Sequence, residues 1–89
     1  MLFASTRQDL TVREVEGETV VLDRNAGMVH TLNPTASFIW QLLDGNTSGD
    51  DIARQLAEQY DIDIRVAEND VRCAIKEMSD LKLITLSGG

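Results

Sequence analysis

Leu22-Asp23-Arg24-Asn25-Ala26-Gly27-Met28-Val29-His30-Thr31-Leu32-Asn33-Pro34-Thr35-Ala36-Ser37-Phe38-Ile39-Trp40-Gln41-Leu42-Leu43-Asp44-Gly45 is the stretch in which the chain changes its period. Before Asn33 the apolar residues alternate. Met28, His30 and Leu32 share one strand face, and Val29 and Thr31 the other. After Asn33 they recur as Ala36, Ile39, Trp40 and Leu43, a single helical stripe. Asn33 is a good N-cap and Pro34 suits a first helical position. Asp44-Gly45 reads as the end of that helix, with Gly45 as a left-handed C-cap.

Upstream, Thr11–Val15 and Thr19–Asp23 read as two further strands, joined by a two-residue turn at Glu16-Gly17. Asn25-Ala26-Gly27 closes a second hairpin onto Met28–Leu32. The three strands form an antiparallel meander that needs a packing partner to be stable. Downstream, Ser48-Gly49-Asp50-Asp51 opens a second helix in capping-box style, striped by Ala53, Leu56, Ala57 and Tyr60. Asp61–Ile64 reads as a linker. A third helix runs from about Arg65 to Lys82, striped by Val71, Ala74, Ile75 and Met78. Leu83–Leu86 is a short extended tail. The expected fold is a single α+β, winged-helix-like domain over residues 1–89: an N-terminal three-stranded antiparallel sheet followed by three helices. Residues 1–9 are expected to be a frayed lead-in, and residues 87–89 to be flexible.

The chain is 89 residues long and 43% hydrophobic, with 8 Lys+Arg against 15 Asp+Glu, a net charge of −7. That sign disfavours binding through nucleic-acid phosphates and suits a basic or neutral partner. No apolar run approaches the roughly 20 residues of a membrane span. The N-terminus lacks the charged start and apolar core of a signal peptide, so a cytoplasmic location is expected. One cysteine, Cys73, and one histidine, His30, form neither a disulfide nor a structural zinc set. His30, between Met28 and Leu32, reads as a histidine at the core edge, with no neighbour to orient it as a base. Cys73 reads as a small packed or half-buried residue without an activating cationic cluster. Each glycine in the folded stretch falls at a turn or helix end, and no phosphate loop or dinucleotide fingerprint occurs. No enzymatic activity, metal or cofactor is therefore expected.

Three non-enzymatic classes fit the size. A winged-helix DNA reader needs cations on its third helix. Here Arg65, Arg72, Lys76 and Lys82 are offset by Glu68, Asp70, Glu77 and Asp80. A phosphopantetheine carrier needs Asp-Ser-Leu at a helix start, and the nearest string is Ser79-Asp80-Leu81, misordered and late in a helix. A peptide-binding adaptor meets neither objection.

The opening stretch resembles the PqqD family, named from pyrroloquinoline quinone biosynthesis. The distinctive string is Leu-Asn-x-Thr-Ala-x-x-Ile-Trp-x-Leu-x-Asp-Gly, met at Leu32, Asn33, Thr35, Ala36, Ile39, Trp40, Leu42, Asp44 and Gly45. Ile52-Ala53 and Tyr60 suit the family's second helix. Asp70-Val71, Ile75, Met78 and Leu83-Ile84 suit its third. The likeness runs from about Leu10 to Ile84. One departure is Lys82, where members often carry Gly.

The resemblance implies a precursor-peptide recognition element. Such a protein binds the leader of a ribosomally made peptide and presents it to a maturation enzyme, such as a radical-SAM protein, a leader peptidase or a cyclase. Relatives serve lasso-peptide and mycofactocin systems. It also implies that the leader adds as a strand to the edge Met28-Val29-His30-Thr31-Leu32, with side chains entering a groove against the third helix.

The residues themselves point the same way. A three-stranded meander leaves its edges unpaired, and this strand has neither Pro nor Lys to blunt its edge. On the third helix Ala67, Cys73 and Leu81 extend the apolar stripe to one flank, where Asp70 and Glu77 also lie. That flank suits a groove wall: Cys73 and Ala74 leave room for leader side chains, and Asp70 and Glu77 meet leader Lys or Arg. The alternative is a flank that simply packs on the sheet, in a DNA-binding or protein–protein scaffold domain that binds no peptide. An exposed strand edge also permits a homodimer by self-pairing.

Overall fold

A computed structural model describes residues 2–88. The strands and helices are β1 (Leu2–Thr6), β2 (Thr11–Val15), β3 (Glu18–Asp23), β4 (Met28–Leu32), α1 (Pro34–Gln41), β5 (Asp44–Ser48), α2 (Gly49–Tyr60), α3 (Ile64–Asp80) and β6 (Ile84–Gly88). They build two antiparallel three-stranded sheets, ordered β2-β3-β4 and β5-β1-β6. The fold is mixed α+β with three helices, and the expected meander is the first of these sheets. No described helix is long and apolar enough to cross a membrane.

The meander follows its turns. Glu16 and Gly17 both take positive φ (51° and 83°), the pair of left-handed residues that a two-residue hairpin with the twist of its strands requires. β3 turns Thr19, Val21 and Asp23 inward. Their β4 partners are Leu32, His30 and Met28. Leu32 is buried, His30 is half-buried and Met28 is exposed, so burial deepens toward the start of α1. The opposite face of the meander carries Val15 and Val29, both exposed.

Each helix begins on the side chain the sequence supplies. Asn33 accepts the Ala36 N–H at 2.7 Å, Ser48 accepts that of Asp51 at 3.2 Å, and Asp63 accepts that of Arg65 at 2.7 Å. The apolar stripes then meet in one core of Ile39, Trp40, Ile52, Leu56, Val71, Ile75 and Met78 with Val21 and Leu32 from the meander. Trp40 is a core residue. Tyr60, placed on the α2 stripe, is half exposed and meets the Phe38 ring edge-on at 5.9 Å.

Three expectations are corrected. Leu2–Thr6 is not a lead-in but the central strand of the second sheet, between β5 and β6. Ser87 and Gly88, expected in a flexible tail, pair with Phe3 and Leu2; Gly89 lies outside the described residues. Gly45 is not the cap of α1. That helix closes at Leu42, whose N–H reaches the Ile39 carbonyl. Gly45 does take the left-handed region (φ 81°), but inside β5, where the pairing with β1 slips. A step of two residues along β1, from Phe3 to Ser5, is matched by a step of four along β5, from Ser48 to Asp44. The Asp44 carboxylate holds this bulge by accepting the N–H groups of Asn46 (2.8 Å) and Thr47 (2.9 Å).

Three contacts join the pieces. Arg7, just past β1, donates to Asp9 (3.0 Å), to the buried carboxylate of Asp23 (3.0 Å) and to the Lys82 carbonyl (2.9 Å). Ser37 in α1 accepts the Thr19 N–H at 2.9 Å and donates to the Leu32 carbonyl at 3.1 Å, all inside the core. The end of α3 is a Schellman motif: the Leu83 N–H reaches the Met78 carbonyl and that of Lys82 the Ser79 carbonyl, both at 3.0 Å. The left-handed residue in it is Lys82 (φ 60°), the position at which the sequence departs from its family resemblance.

Three outcomes follow from these contacts. Ser37→Ala orphans a buried N–H and a buried carbonyl, so chemical denaturation should show a loss of about 1–3 kcal/mol. Lys82→Gly relieves a left-handed non-glycine residue and should raise stability by about 0.5–1 kcal/mol after the added freedom of the unfolded chain, read as a higher denaturation midpoint. Asp9 is held below its ordinary carboxyl pKa of 3.8 first by the hydrogen bond from Arg7, and Asp44 first by the N–H of Asn46. A depressed folded pKa means that both contributions are complete above about 3.8 and are lost as pH falls through the lowered values. Carboxyl carbon shifts in an acid titration should place both midpoints below those of the unfolded chain.

Candidate functional site

β4 is an edge. The sheet order β2-β3-β4 leaves its outer side without a strand among the described residues. Which of its backbone groups face that side follows from Ser37. The Thr19 N–H and the Leu32 carbonyl both turn to the Ser37 hydroxyl, and Thr19 and Leu32 are cross-strand partners. At this pair the polar groups therefore face each other across β3 and β4. Alternation along an antiparallel ladder then turns those of His30 and Met28 toward β3 as well, and those of Val29 and Thr31 to the open edge. Two N–H and two C=O groups are presented to an incoming strand.

Beside this edge runs a groove of about 540 Å³, with β4 as one wall and α3 as the other. Val29, His30, Thr31 and Leu32 form the β4 wall; Asp70, Cys73, Ala74 and Glu77 form the α3 wall. Eight of the nine residues singled out in the sequence thus line one cleft. Met28 does not. It lies at the far end of β4 opposite Asp23, half exposed and outside the groove lining. Leu81, placed by its sequence position on the groove flank of α3, lines the cleft, whereas Ala67 from the same flank is buried in the core. The lining also includes Asn33, Thr35, Ala36, Ile39 and Met78, which the sequence does not single out for the groove. Ile39 and Met78 are fully buried core residues and make the floor apolar. The signal for these lay in the stripes, since a residue on the rim of a core stripe also borders whatever opening the core leaves.

The α3 wall presents helix positions 70, 73, 74 and 77, one face of two turns. Cys73, expected to be packed or half-buried, is exposed with a free thiol. Ala74 is half-buried and Asp70 likewise, while Glu77 is exposed. The groove lining contains no Lys or Arg. Among the described residues neither Asp70 nor Glu77 has an ion-pair partner; Lys76, on the same turn as Glu77, pairs with Asp80 at 3.2 Å. No group of three side chains able to hold a metal ion occurs among the described residues. The cleft therefore offers backbone hydrogen bonds along one side, a small apolar notch in the middle and two unpaired carboxylates on the rim.

Solved structures share this arrangement of chain. TbiB1 in complex with the TbiA(beta) leader peptide superposes with a TM-score of 0.81 at 21% identity, over 90% of this chain and 93% of that one. Lasso peptide synthetase B1 complexed with the leader peptide superposes with a TM-score of 0.82 at 26% identity, over 92% and 96%. The PqqD truncation of Methylobacterium extorquens PqqCD, a stand-alone recognition element for ribosomally synthesised and post-translationally modified peptides, superposes with a TM-score of 0.76 at 20% identity, over 92% and 87%. No curated protein matches the sequence. The family model of coenzyme PQQ synthesis protein D matches residues 18–84, from β3 through the start of β6 and across both walls of the groove. The chain belongs to the PqqD family.

Proposed function

We propose that this protein is a leader-peptide-binding adaptor: it takes the leader of a ribosomally made precursor as a fourth strand on β4 and presents it to a maturation enzyme. The observation that carries this reading is the open β4 edge lying along the groove with α3, which gathers residues 29–32 and 70–77 into one cleft. Strand addition uses main-chain hydrogen bonds for affinity and alternate side chains for specificity. The edge groups of Val29 and Thr31 supply the first, and the groove supplies the second. Two structural neighbours hold leader peptides, and the family match makes the same role the natural one here.

The adaptor does no chemistry of its own in this reading. It raises the local concentration of the substrate at the enzyme, which for a short tether is of millimolar order. The partner enzyme is of the radical-SAM type or a leader peptidase or cyclase, and the complex acts in the cytoplasm.

Thr31→Pro tests the edge. Its N–H faces outward, so proline removes a donor to the peptide without removing one from the β3–β4 ladder, and edge strands tolerate proline. With a synthetic leader from a precursor encoded beside this gene, amide shifts should show binding by the parent and at least tenfold weaker binding by Thr31→Pro, while Thr31→Ala binds as the parent does. A folded Thr31→Pro protein with full affinity would overturn the edge assignment.

A further inference from the structure

Resting on the strand-addition reading, we infer that the groove selects leaders by an alternating basic–apolar–basic pattern, Lys/Arg-x-Φ-x-Lys/Arg, where Φ is a large apolar residue. The three groups that read it are Asp70, the Cys73–Ala74 notch and Glu77.

The rim of the groove leaves two carboxylates uncompensated. Asp70 and Glu77 have no ion pair or hydrogen bond among the described residues, although α3 carries Arg65, Arg72 and Lys76. The groove lining carries no Lys or Arg to compensate the two carboxylates, and His30 on the β4 wall is its one imidazole. A peptide entering here therefore meets negative charge at two points, and between them an apolar floor of Ile39 and Met78 under two small side chains. Acidic leader residues at those points would bring like charge into a partly dehydrated cleft, and basic ones would supply the missing partners.

The spacing sets the pattern. Seven residues of helix separate Asp70 from Glu77 by about 10 Å, with Cys73 and Ala74 midway. Along a strand, the side chains that face one side lie about 6.7 Å apart for neighbours two residues on, and about 13 Å for four. Residues i and i+4 bracket the acidic pair with a small overshoot, which flexible Lys or Arg stems absorb. Residue i+2 then falls over the notch. The pattern is a palindrome, so it holds whichever way the leader runs along β4.

Three synthetic decapeptides test it: one with Lys-Ser-Leu-Ser-Lys at its centre, one with Gln and one with Glu in place of both Lys. Each is titrated into labelled protein while the Val29 and Thr31 amides are followed. The Lys peptide should bind about tenfold more tightly than the Gln peptide, two exposed ion pairs contributing a few-fold each, with the gap closing as salt is raised. The Glu peptide should bind weakest. In Asp70→Lys/Glu77→Lys the order should reverse, and in the isosteric Asp70→Asn/Glu77→Gln protein it should vanish. Equal affinity of all three peptides, with the amides of β4 shifting, overturns the charge pattern and leaves strand addition standing. No shift of either amide with these peptides or with a natural leader overturns strand addition and the pattern with it.

Discussion

One guanidinium holds the two halves of this fold in register. Arg7 leaves the second sheet at the end of β1 and reaches Asp23, which opens the turn into β4, and the Lys82 carbonyl, which follows the last turn of α3. The Asp23 carboxylate is almost wholly buried, so its charge requires this partner, and removing the cation would strand it. The consequence is geometric. β4 and α3 are the two walls of the groove, and Arg7 ties the start of one to the end of the other. Ser37 does the same at the opposite end of β4, where its hydroxyl stitches β3, β4 and α1 together. The groove is thus framed by polar contacts at both ends, and its apolar floor is left free to be shaped by Ile39 and Met78.

This division of labour lets a chain of 89 residues present an open cleft beside a strand edge. The core is spent on fixing where α3 lies. The site itself uses what the core leaves over: the outward backbone of a short edge strand and one flank of a helix whose inner face is occupied. In the proposed strand addition, recognition by backbone groups would place little demand on side-chain identity along β4. On that reading discrimination would pass to the α3 flank, where a few side chains face the cleft.

Much of this is legible in the sequence, and the parts that are not share a cause. The meander and the three helices announce themselves because their ends carry residues with a local mechanism: Glu16-Gly17, Asn33-Pro34, Ser48 and Asp63. The second sheet does not. Asp44-Gly45-Asn46-Thr47-Ser48 has the composition of a turn, and it becomes a strand only because β1 lies beside it. β1 in turn pairs with β6 across nearly the full length of the chain, a separation at which local pattern says nothing. Arg7 and Ser37 are hidden for the same reason, since each acts on partners distant in sequence. Gly45 shows the difference between conformation and role: its left-handed backbone follows from its type, but the bulge that uses it does not. The two walls of the groove are legible in the edge strand and the lopsided helix stripe. Only Met28 falls outside, because strand membership does not tell how far along β4 the helix extends.

The uncompensated rim also bears on how copies of this protein behave toward one another. An open strand edge invites any second edge, and the nearest supply in solution is the same protein. Two copies that met along β4 would bring Asp70 and Glu77 of each toward the other, within molecules that both carry a net charge of −7. Like charge of that kind opposes the pairing of identical edges, and opposes it most at low ionic strength.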